Sequence, residues 1–193
     1  MNETEFSPHD SLAVITKMIE EARYRYQDNG VAFILWGISL ALVGIIHFVL
    51  NMMNLPALGG IVYTLLIVPG ILTGVYYSRI PKSKGSNVLS RIMKWIWIAI
   101  TINLFILGFG FFFKLGYNLT PVMLIIQGFG LLLSGYALGN RYLLGAGIFT
   151  QALGYVAFFL PNTFQPLVFV AVGIVALLLP GLDLNRKKKK NHV

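Results

Sequence analysis

The sequence contains six apolar stretches of about twenty residues each, and this pattern limits the possible folds more than any other feature. The stretches are 31–50, 57–78, 95–113, 121–140, 142–160 and 166–184. A helix needs roughly 20 apolar residues to cross a hydrocarbon core about 30 Å thick. Backbone polar groups in hydrocarbon must be paired within their own segment, so each stretch is predicted to be helical. The sequence therefore predicts an all-α, polytopic membrane protein, with a six-helix transmembrane bundle over residues 31–184.

Composition supports the membrane interpretation through its shortage of charge. The 193 residues are 56% hydrophobic and only 11% charged, whereas a soluble domain carries about 25% charged residues. A soluble core of this length could not enclose so much apolar surface. Cysteine is absent, which excludes disulfides, thiolate metal sites and cysteine nucleophiles.

The basic residues are segregated along the chain. Fourteen of the fifteen Lys and Arg residues precede the first stretch, lie in the second or fourth connection, or follow the sixth stretch. Lys114, in the third connection, is the exception. This bias predicts that the basic connections are cytoplasmic, and six crossings then place both termini in the cytoplasm. The same segregation explains the net charge of +8 without a nucleic acid partner.

Two segments outside the bundle are predicted to lie on the cytoplasmic side. Residues 1–30 read as an amphipathic helix, because Ser7-Pro8-His9-Asp10 resembles a helix start and an apolar stripe follows at spacings of three and four. This helix either lies on the bilayer or packs across the bundle. Residues 185–193 form a basic tail, in which Arg186, Lys187, Lys188, Lys189 and Lys190 are predicted to contact lipid headgroups or to fix the topology.

No catalytic, metal or cofactor site is predicted. Six of the seven acidic residues precede Gly30, and the seventh, Asp183, lies at the inner end of the sixth stretch. Proton relays and cation sites within membranes usually need an ionisable group at mid-depth, and paired acid–base chemistry needs two neighbouring groups. His9, His47 and His192 are too scattered to suggest a metal site, and His47 is expected to be solvated at the outer interface.

Three amides form the candidate polar site within the membrane: Asn103, Gln127 and Gln151. Asn103 and Gln151 are expected at similar depth on the third and fifth helices. They could line a path for a small solute, or they could form an interhelical amide hydrogen bond worth roughly 0.6 to 2 kcal/mol. The structural interpretation is favoured.

Proline and glycine predict bends and close contacts. Pro69 and Gly70 are predicted to kink the second helix, because proline removes a backbone hydrogen bond, and the kink could act as a gate. Pro180-Gly181 is predicted to help end the sixth helix. Small residues four apart, as at Gly70/Gly74 and Gly130/Ser134, predict close packing within the bundle or between copies in a homo-oligomer.

A faint internal repeat is also visible. The first hairpin aligns with the third at an offset of 110, which matches Gly37 with Gly147 and Gly44 with Gly154. Separately, 121–141 aligns with 166–186 at an offset of 45. Repeats of this kind would share one orientation, unlike the inverted repeats of many transporters.

The first part of the chain resembles a known group. Ser7-Pro-His-Asp-Ser-Leu12, Met18-Ile19, Ala22-Arg23, Asn29-Gly30 and Leu35-Trp36-Gly37 are similar to the opening of small, uncharacterised multi-pass membrane proteins of Bacteroidota. Pro180-Gly181 is similar as well. The resemblance implies a bacterial inner membrane and a cytoplasmic partner, since members can be encoded beside small winged-helix regulators. It brings no catalytic residue.

The hypothesis favoured by the sequence is a non-enzymatic membrane protein that interacts or regulates through its cytoplasmic face. A small-solute transporter or channel is the alternative, and it requires the three amides and the Pro69-Gly70 kink to border one cavity. An intramembrane enzyme is the third possibility, which needs N-terminal acids such as Glu20 or Glu21 to fold back beside Asp183 or His9.

Overall fold

Helices make up nearly all of the backbone in the computed structural model, which describes residues 14, 16, 30–79 and 88–191. The α-helices are α1 (Gly30–Met52), α2 (Pro56–Val62), α3 (Ile67–Arg79), α4 (Val88–Phe105), α5 (Phe112–Leu115), α6 (Leu119–Leu138), α7 (Arg141–Ala157), α8 (Gln165–Ala171) and α9 (Leu179–Asn191). No strand occurs in the described ranges, so the predicted all-α class is confirmed. The predicted amphipathic helix lies outside the described residues, except that Val14 and Thr16 are helical.

Short segments of other helical types join these helices. A 3₁₀ turn (Tyr63–Leu66) connects α2 to α3, and another (Gly116–Asn118) leads into α6. A π-helical segment (Ile106–Gly110) follows α4, and a second (Val172–Leu178) connects α8 to α9. The last two helices therefore form one continuous rod.

In the part of the chain that the structure describes, four helices are long and apolar enough to cross a membrane. They cover Gly30–Met52, Arg91–Gly110, Phe113–Ala137 and Gln165–Asp183. Tyr63–Tyr76 forms a shorter apolar helix. By length and composition these four helices suit a membrane protein. The sequence predicted six crossings, which is two more than the number of these helices.

The helices pack in an order that differs from their order in the chain. The α8–α9 rod lies between α1 and α7. The α2–α3 segment packs on α1, while α6 packs on α7 and α4 packs on α6. Leu124 and Leu131 of α6 and Val172 and Ala176 of the rod are completely buried. The core therefore centres on the rod and the α6–α7 pair.

Two seams of glycine bring neighbouring helices into backbone contact. A methyl group on Gly37 of α1 would lie 2.7 Å from the carbonyl oxygen of Gly173 in the rod. One on Gly147 of α7 would lie 2.9 Å from the carbonyl oxygen of Gly128 in α6. Such distances leave no room for any side chain, so glycine is required at each crossing.

The two seams are equivalent under the offsets seen in the sequence. An offset of 110 carries Gly37 onto Gly147, and an offset of 45 carries Gly128 onto Gly173. A second contact pair repeats in the same way. A methyl group on Gly44 would lie 2.7 Å from the Pro166 carbonyl oxygen, and one on Gly154 would lie 3.2 Å from that of Pro121. The α1–rod pair is thus a structural repeat of the α7–α6 pair.

The π-helical segment of the rod shifts this correspondence by one residue. A methyl group on Gly135 would lie 2.5 Å from the amide nitrogen of Leu144, and one on Gly181 would lie 2.9 Å from that of Ile34. Offsets of 45 and 110 would instead pair Ile34 with position 180. A π-helical turn accommodates an extra residue in a helix, so Val172–Leu178 absorbs the insertion and restores the contact.

One boundary prediction at the C-terminal end is wrong. Pro180-Gly181 does not end the sixth helix, because α9 begins just before this pair and runs to Asn191. Pro180 lies within the continuous rod, directly after the π-helical segment Val172–Leu178, so the backbone hydrogen bond that proline cannot donate is missing where the helix is already irregular. Beyond Gly181 the helix continues into the predicted basic tail as far as Asn191.

The turn between α6 and α7 shows how local sequence sets the antiparallel geometry. Gly139 adopts a left-handed conformation at φ 61° and closes α6, as glycine commonly does at a helix end. The Asn140 side chain accepts hydrogen bonds from the backbone of Tyr142 at 2.9 Å and Leu143 at 3.3 Å. Asparagine is a favoured N-cap, so one helix ends and the next starts within two residues.

Candidate functional site

The basic residues with described structure collect at one end of the bundle. The Gly181–Gly30 contact places the end of the rod beside the start of α1, and the Trp36 indole donates to Thr73 Oγ1 at 3.0 Å, which places the end of α3 there too. The α4 helix runs antiparallel to α6, because Ile100 packs on Gly130 and Gly108 lies near Met123. We call this the basic end; it holds Arg79, Arg91, Lys94, Arg141 and Arg186.

Charge at the two ends is strongly unequal in the described part of the chain. Arg79, Lys94 and Arg141 are exposed at the basic end, whereas Lys114 follows α4 at the opposite end. Asp183 is the one described acidic residue, and it also belongs to the basic end. The predicted headgroup residues Arg186 to Lys190 follow as the last turns of α9. The basic end therefore carries a net positive charge.

Two of the three predicted amides share one site, and the third does not. Asn103 and Gln151 border a groove of about 420 Å³ that is formed by α4, α6 and α7. We call it the lateral groove; it is lined by Ile100, Asn103, Ile125, Phe129, Gln151 and Tyr155, among others. Gln127 does not line it, although it lies on the same helix as Phe129. The cavity required by the transporter hypothesis is thus only partly assembled.

The expected amide hydrogen bond between Asn103 and Gln151 is absent among the described contacts. Asn103 Nδ2 instead donates to the carbonyl oxygen of Ala99 in its own helix at 2.9 Å. Only 11% of the most apolar part of Arg91–Gly110 is buried, so this helix lies at the edge of the bundle. The Asn103 side chain on it is exposed. The distance between the two helices leaves a groove where the sequence suggested a contact.

Pro69 and Gly70 lie away from the groove, on α3. The turn before them, Tyr63–Leu66, is 3₁₀-helical. The proline ring clashes with the carbonyl group four residues earlier, that of Leu65, and it offers no hydrogen bond to it, which accounts for the change of helix type. Because α3 packs on α1, Pro69 and the amide groove are on different sides of the rod.

His47 is not simply solvated, as the sequence suggested. Its Nδ1 atom lies 2.9 Å from the Tyr63 hydroxyl group, and the two rings meet edge to face with centroids 5.3 Å apart. Gly59 of α2 leaves the space that the imidazole ring occupies. Tyr63 in turn packs on Phe169 of the rod at 5.3 Å. His47 therefore joins α1 to the α2–α3 segment.

Buried polar groups at the end of the bundle opposite the basic end were missed by sequence reading. Gln165 is only 4% exposed, and its Nε2 atom donates to the carbonyl oxygen of Ala157 at 3.3 Å. Its Oε1 atom and both polar atoms of the Asn51 side chain are buried without a hydrogen bond in the described structure. The only available signal was that both residues flank predicted connections.

Within the described residues, no three His, Cys, Asp or Glu side chains come together as a metal site would require. The hydroxyl groups of Thr150 and Ser134 are used within their own helices, where each donates to the carbonyl four residues earlier at 2.7 Å. These two hydroxyls therefore serve helix packing.

Comparison with known proteins gives no match: no family model fits the chain, and no curated protein and no solved structure is significantly similar to it.

Proposed function

We propose that this protein is a non-enzymatic, six-span component of a bacterial inner membrane that binds cytoplasmic proteins through its basic end. The observation that carries the proposal is the gathering of Arg79, Lys94, Arg141 and Arg186 at one end of the bundle. Positively charged residues favour the cytoplasmic side, so this end is the cytoplasmic face. The N-terminal amphipathic segment and both termini belong to the same side.

Six crossings are supported by how the two remaining segments pack. The α2–α3 segment extends over Pro56–Arg79 with only a 3₁₀ turn inside it, which is about 36 Å of helix at 1.5 Å per residue. The 17-residue α7 helix lies along α6. The two helices are in close contact near one end, where Gly135 of α6 meets Leu144, and near the other, where Gly154 of α7 meets Pro121. Both segments therefore lie beside helices that are long enough to span.

The chemistry of the interior favours binding over catalysis. Its described polar side chains include amides, hydroxyl groups and the His47 imidazole, and the hydrogen bonds of His47, Asn103 and Thr150 are to a phenol hydroxyl group or to backbone carbonyl groups. Apart from Lys114, the described charged residues are at the basic end. A positive surface of this kind attracts acidic proteins and steers their association, so we propose a partner with an acidic surface.

The proposal can be tested with the full-length protein in lipid nanodiscs exposed to the cytosolic fraction. We expect capture of an acidic protein that weakens with salt, because exposed charges are screened. The combined variant Arg79→Gln, Lys94→Gln and Arg141→Gln should lose this protein, and deletion of residues 1–29 should weaken its capture. Lys114→Gln, at the opposite end, is the matched control and should retain it.

Lipid composition separates a protein partner from lipid headgroups. Anionic lipids attract basic residues at about 1 kcal/mol each and should compete with the partner, so capture should be stronger in phosphatidylcholine than in phosphatidylglycerol. Equal capture by the triple variant and by Lys114→Gln would contradict the proposal. Capture that requires phosphatidylglycerol would assign the basic end to lipid binding instead.

A transporter is the second candidate, and the shared groove of Asn103 and Gln151 is the observation that favours it. The groove opens sideways, however, because Phe129 and Tyr155, which line it, are 55% and 56% exposed. Uptake of small neutral solutes into proteoliposomes that falls in Gln151→Met but not in Gln127→Met would support transport over the binding role.

A homo-oligomer through small-residue faces also remains a proposal. The glycines of the two seams are occupied within the chain, whereas Gly74 has open space around it and Gly70 has only Trp36 nearby at 4.0 Å. The Gly70/Gly74 face of α3 is therefore the small-residue face that remains accessible to a second copy.

A further inference from the structure

The lateral groove combines concave shape with polar groups at the depth of the lipid chains. Asn103 lies twelve residues after Arg91, and Gln151 lies ten after Arg141. At 1.5 Å per residue these are about 18 Å and about 15 Å from the basic end. A hydrocarbon core is about 30 Å thick, so both amides lie near its middle.

Glycines in α6 shape the floor of the groove. The Gln151 Cγ atom lies 2.6 Å from the place where a methyl group on Gly128 would be, and Ile100 packs over Gly130. Both flanking side chains thus rest directly on the α6 backbone. Ile125 and Phe129 form the floor between them, so the groove is a consequence of close packing and does not depend on a mobile loop.

The polar groups of the groove are incompletely paired. Asn103 uses its amide nitrogen within α4, and no hydrogen bond in the described structure engages its Oδ1 atom, the Gln151 amide or the Tyr155 hydroxyl group. Lipid acyl chains can fill an apolar groove but cannot donate or accept hydrogen bonds. Leaving polar groups unpaired in hydrocarbon is unfavourable. This points to an occupant that carries hydrogen-bonding groups able to pair with them.

We propose that the lateral groove binds a neutral, membrane-soluble molecule with an apolar body and a carbonyl or hydroxyl head group. Gln151 and Asn103 form hydrogen bonds with the head group, while Ile125 and Phe129 contact the apolar body. The ligand is neutral because no charged side chain lines the groove. Its volume of about 420 Å³ falls within the usual range of small-molecule sites, which is about 300 to 1,000 Å³.

The binding test uses a photoreactive C16 alcohol in nanodiscs that contain the full-length protein. We expect the alcohol to label α4 and α7 near Asn103 and Gln151, and a photoreactive alkane of equal length to label them far less. Gln151→Met keeps the side-chain volume but removes both hydrogen-bonding atoms, and one lost hydrogen bond of ordinary strength should lower labelling about fivefold. Gln127→Met, outside the groove, is the matched control and should label like the wild type.

Each other outcome overturns the proposal. Equal labelling by the alcohol and the alkane means that the groove holds only lipid chains. Equal labelling of Gln151→Met and Gln127→Met means that the amide does not recognise the head group. Cross-linking of the groove to another protein in native membranes, with no alcohol labelling, assigns it to a partner helix. Equal melting temperatures of the two variants ensure that a loss reflects recognition, and Asn103→Leu provides a second variant at the groove edge.

Discussion

His47 shows how much a single polar residue depends on neighbours that are distant in sequence. Its ring is held by the Tyr63 hydroxyl group, sixteen residues away, and fits over Gly59 because that residue has no side chain. Neither neighbour carries a sequence signal, since tyrosine and glycine are common in membrane helices. The position of His47 near the end of its helix was predictable, whereas its role in joining α1 to the α2–α3 segment was not.

Replacing Tyr63 with phenylalanine should therefore destabilise the protein. The change leaves the His47 Nδ1 atom without its partner, and a net hydrogen bond of this kind contributes about 1 kcal/mol. The measurement is the free energy of unfolding in mixed micelles. Tyr136→Phe is the matched control, because Tyr136 is 82% exposed. Similar stabilities for the two variants would show that the His47–Tyr63 contact contributes nothing.

At the scale of helices, glycine spacing proved more informative than the short motifs that sequence reading selected. The prediction rested on small residues four apart, yet the contacts recur every seven residues, at Gly37 and Gly44 and again at Gly147 and Gly154. Two helical turns contain about seven residues, so helices that cross at a shallow angle meet at that interval. A search for glycines seven apart would have found both seams.

We predict that valine at Gly37 or Gly147 destabilises the fold to a similar extent. In each case the new side chain meets a carbonyl oxygen of the facing helix, which cannot move aside as a flexible side chain could. Overpacking of this type costs about 1 to 3 kcal/mol. Unfolding free energies in micelles provide the measurement, and equal losses at the two positions would support the equivalence of the repeats.

Gly145→Val is the control for this pair. Gly145 lies on the same helix as Gly147 but has nothing within 4 Å of an added methyl group. The free energy of unfolding of Gly145→Val should therefore change by no more than about 0.5 kcal/mol. A loss at Gly145 as large as that at Gly147 would mean that valine disturbs the helix itself, and the seam would not be the cause.

The sequence predicted what depends on local composition and missed what depends on helix partners. Apolar length was sufficient for the helical class, and the boundary between the stretches 121–140 and 142–160 coincides with the α6–α7 turn to within two residues. The π-helical insertion at Val172–Leu178 left no local mark, because it is detectable only by comparing the rod with α6. Asn103 and Gln151 border one groove, but the gap between their helices depends on how Ile100 and Gln151 pack on α6.

For the molecule as a whole, the number of crossings determines which connections face the cytoplasm. Four helices suffice for spanning by length and composition, and with only those four the connection after α3 and the turn before α6 exchange sides relative to the six-span proposal. The C-terminus stays on the cytoplasmic side in both arrangements. A reporter at the C-terminus therefore cannot decide between them, whereas probes at positions 83 and 118 can.

Labelling of single introduced cysteines can distinguish four crossings from six, because the chain has no cysteine of its own. We predict that Ser83→Cys reacts with a membrane-impermeant maleimide only after the membrane of spheroplasts is permeabilised, because five basic residues surround it along the chain in 79–94 and such loops stay inside. Asn118→Cys should react in intact spheroplasts, and Asn162→Cys should behave in the same way.

If α2–α3 and α7 do not cross, the first two results are reversed, so that Ser83→Cys labels from outside and Asn118→Cys is protected. That outcome would also separate Arg79 and Lys94 from the cytoplasm and would remove the basis for a cytoplasmic partner at the basic end.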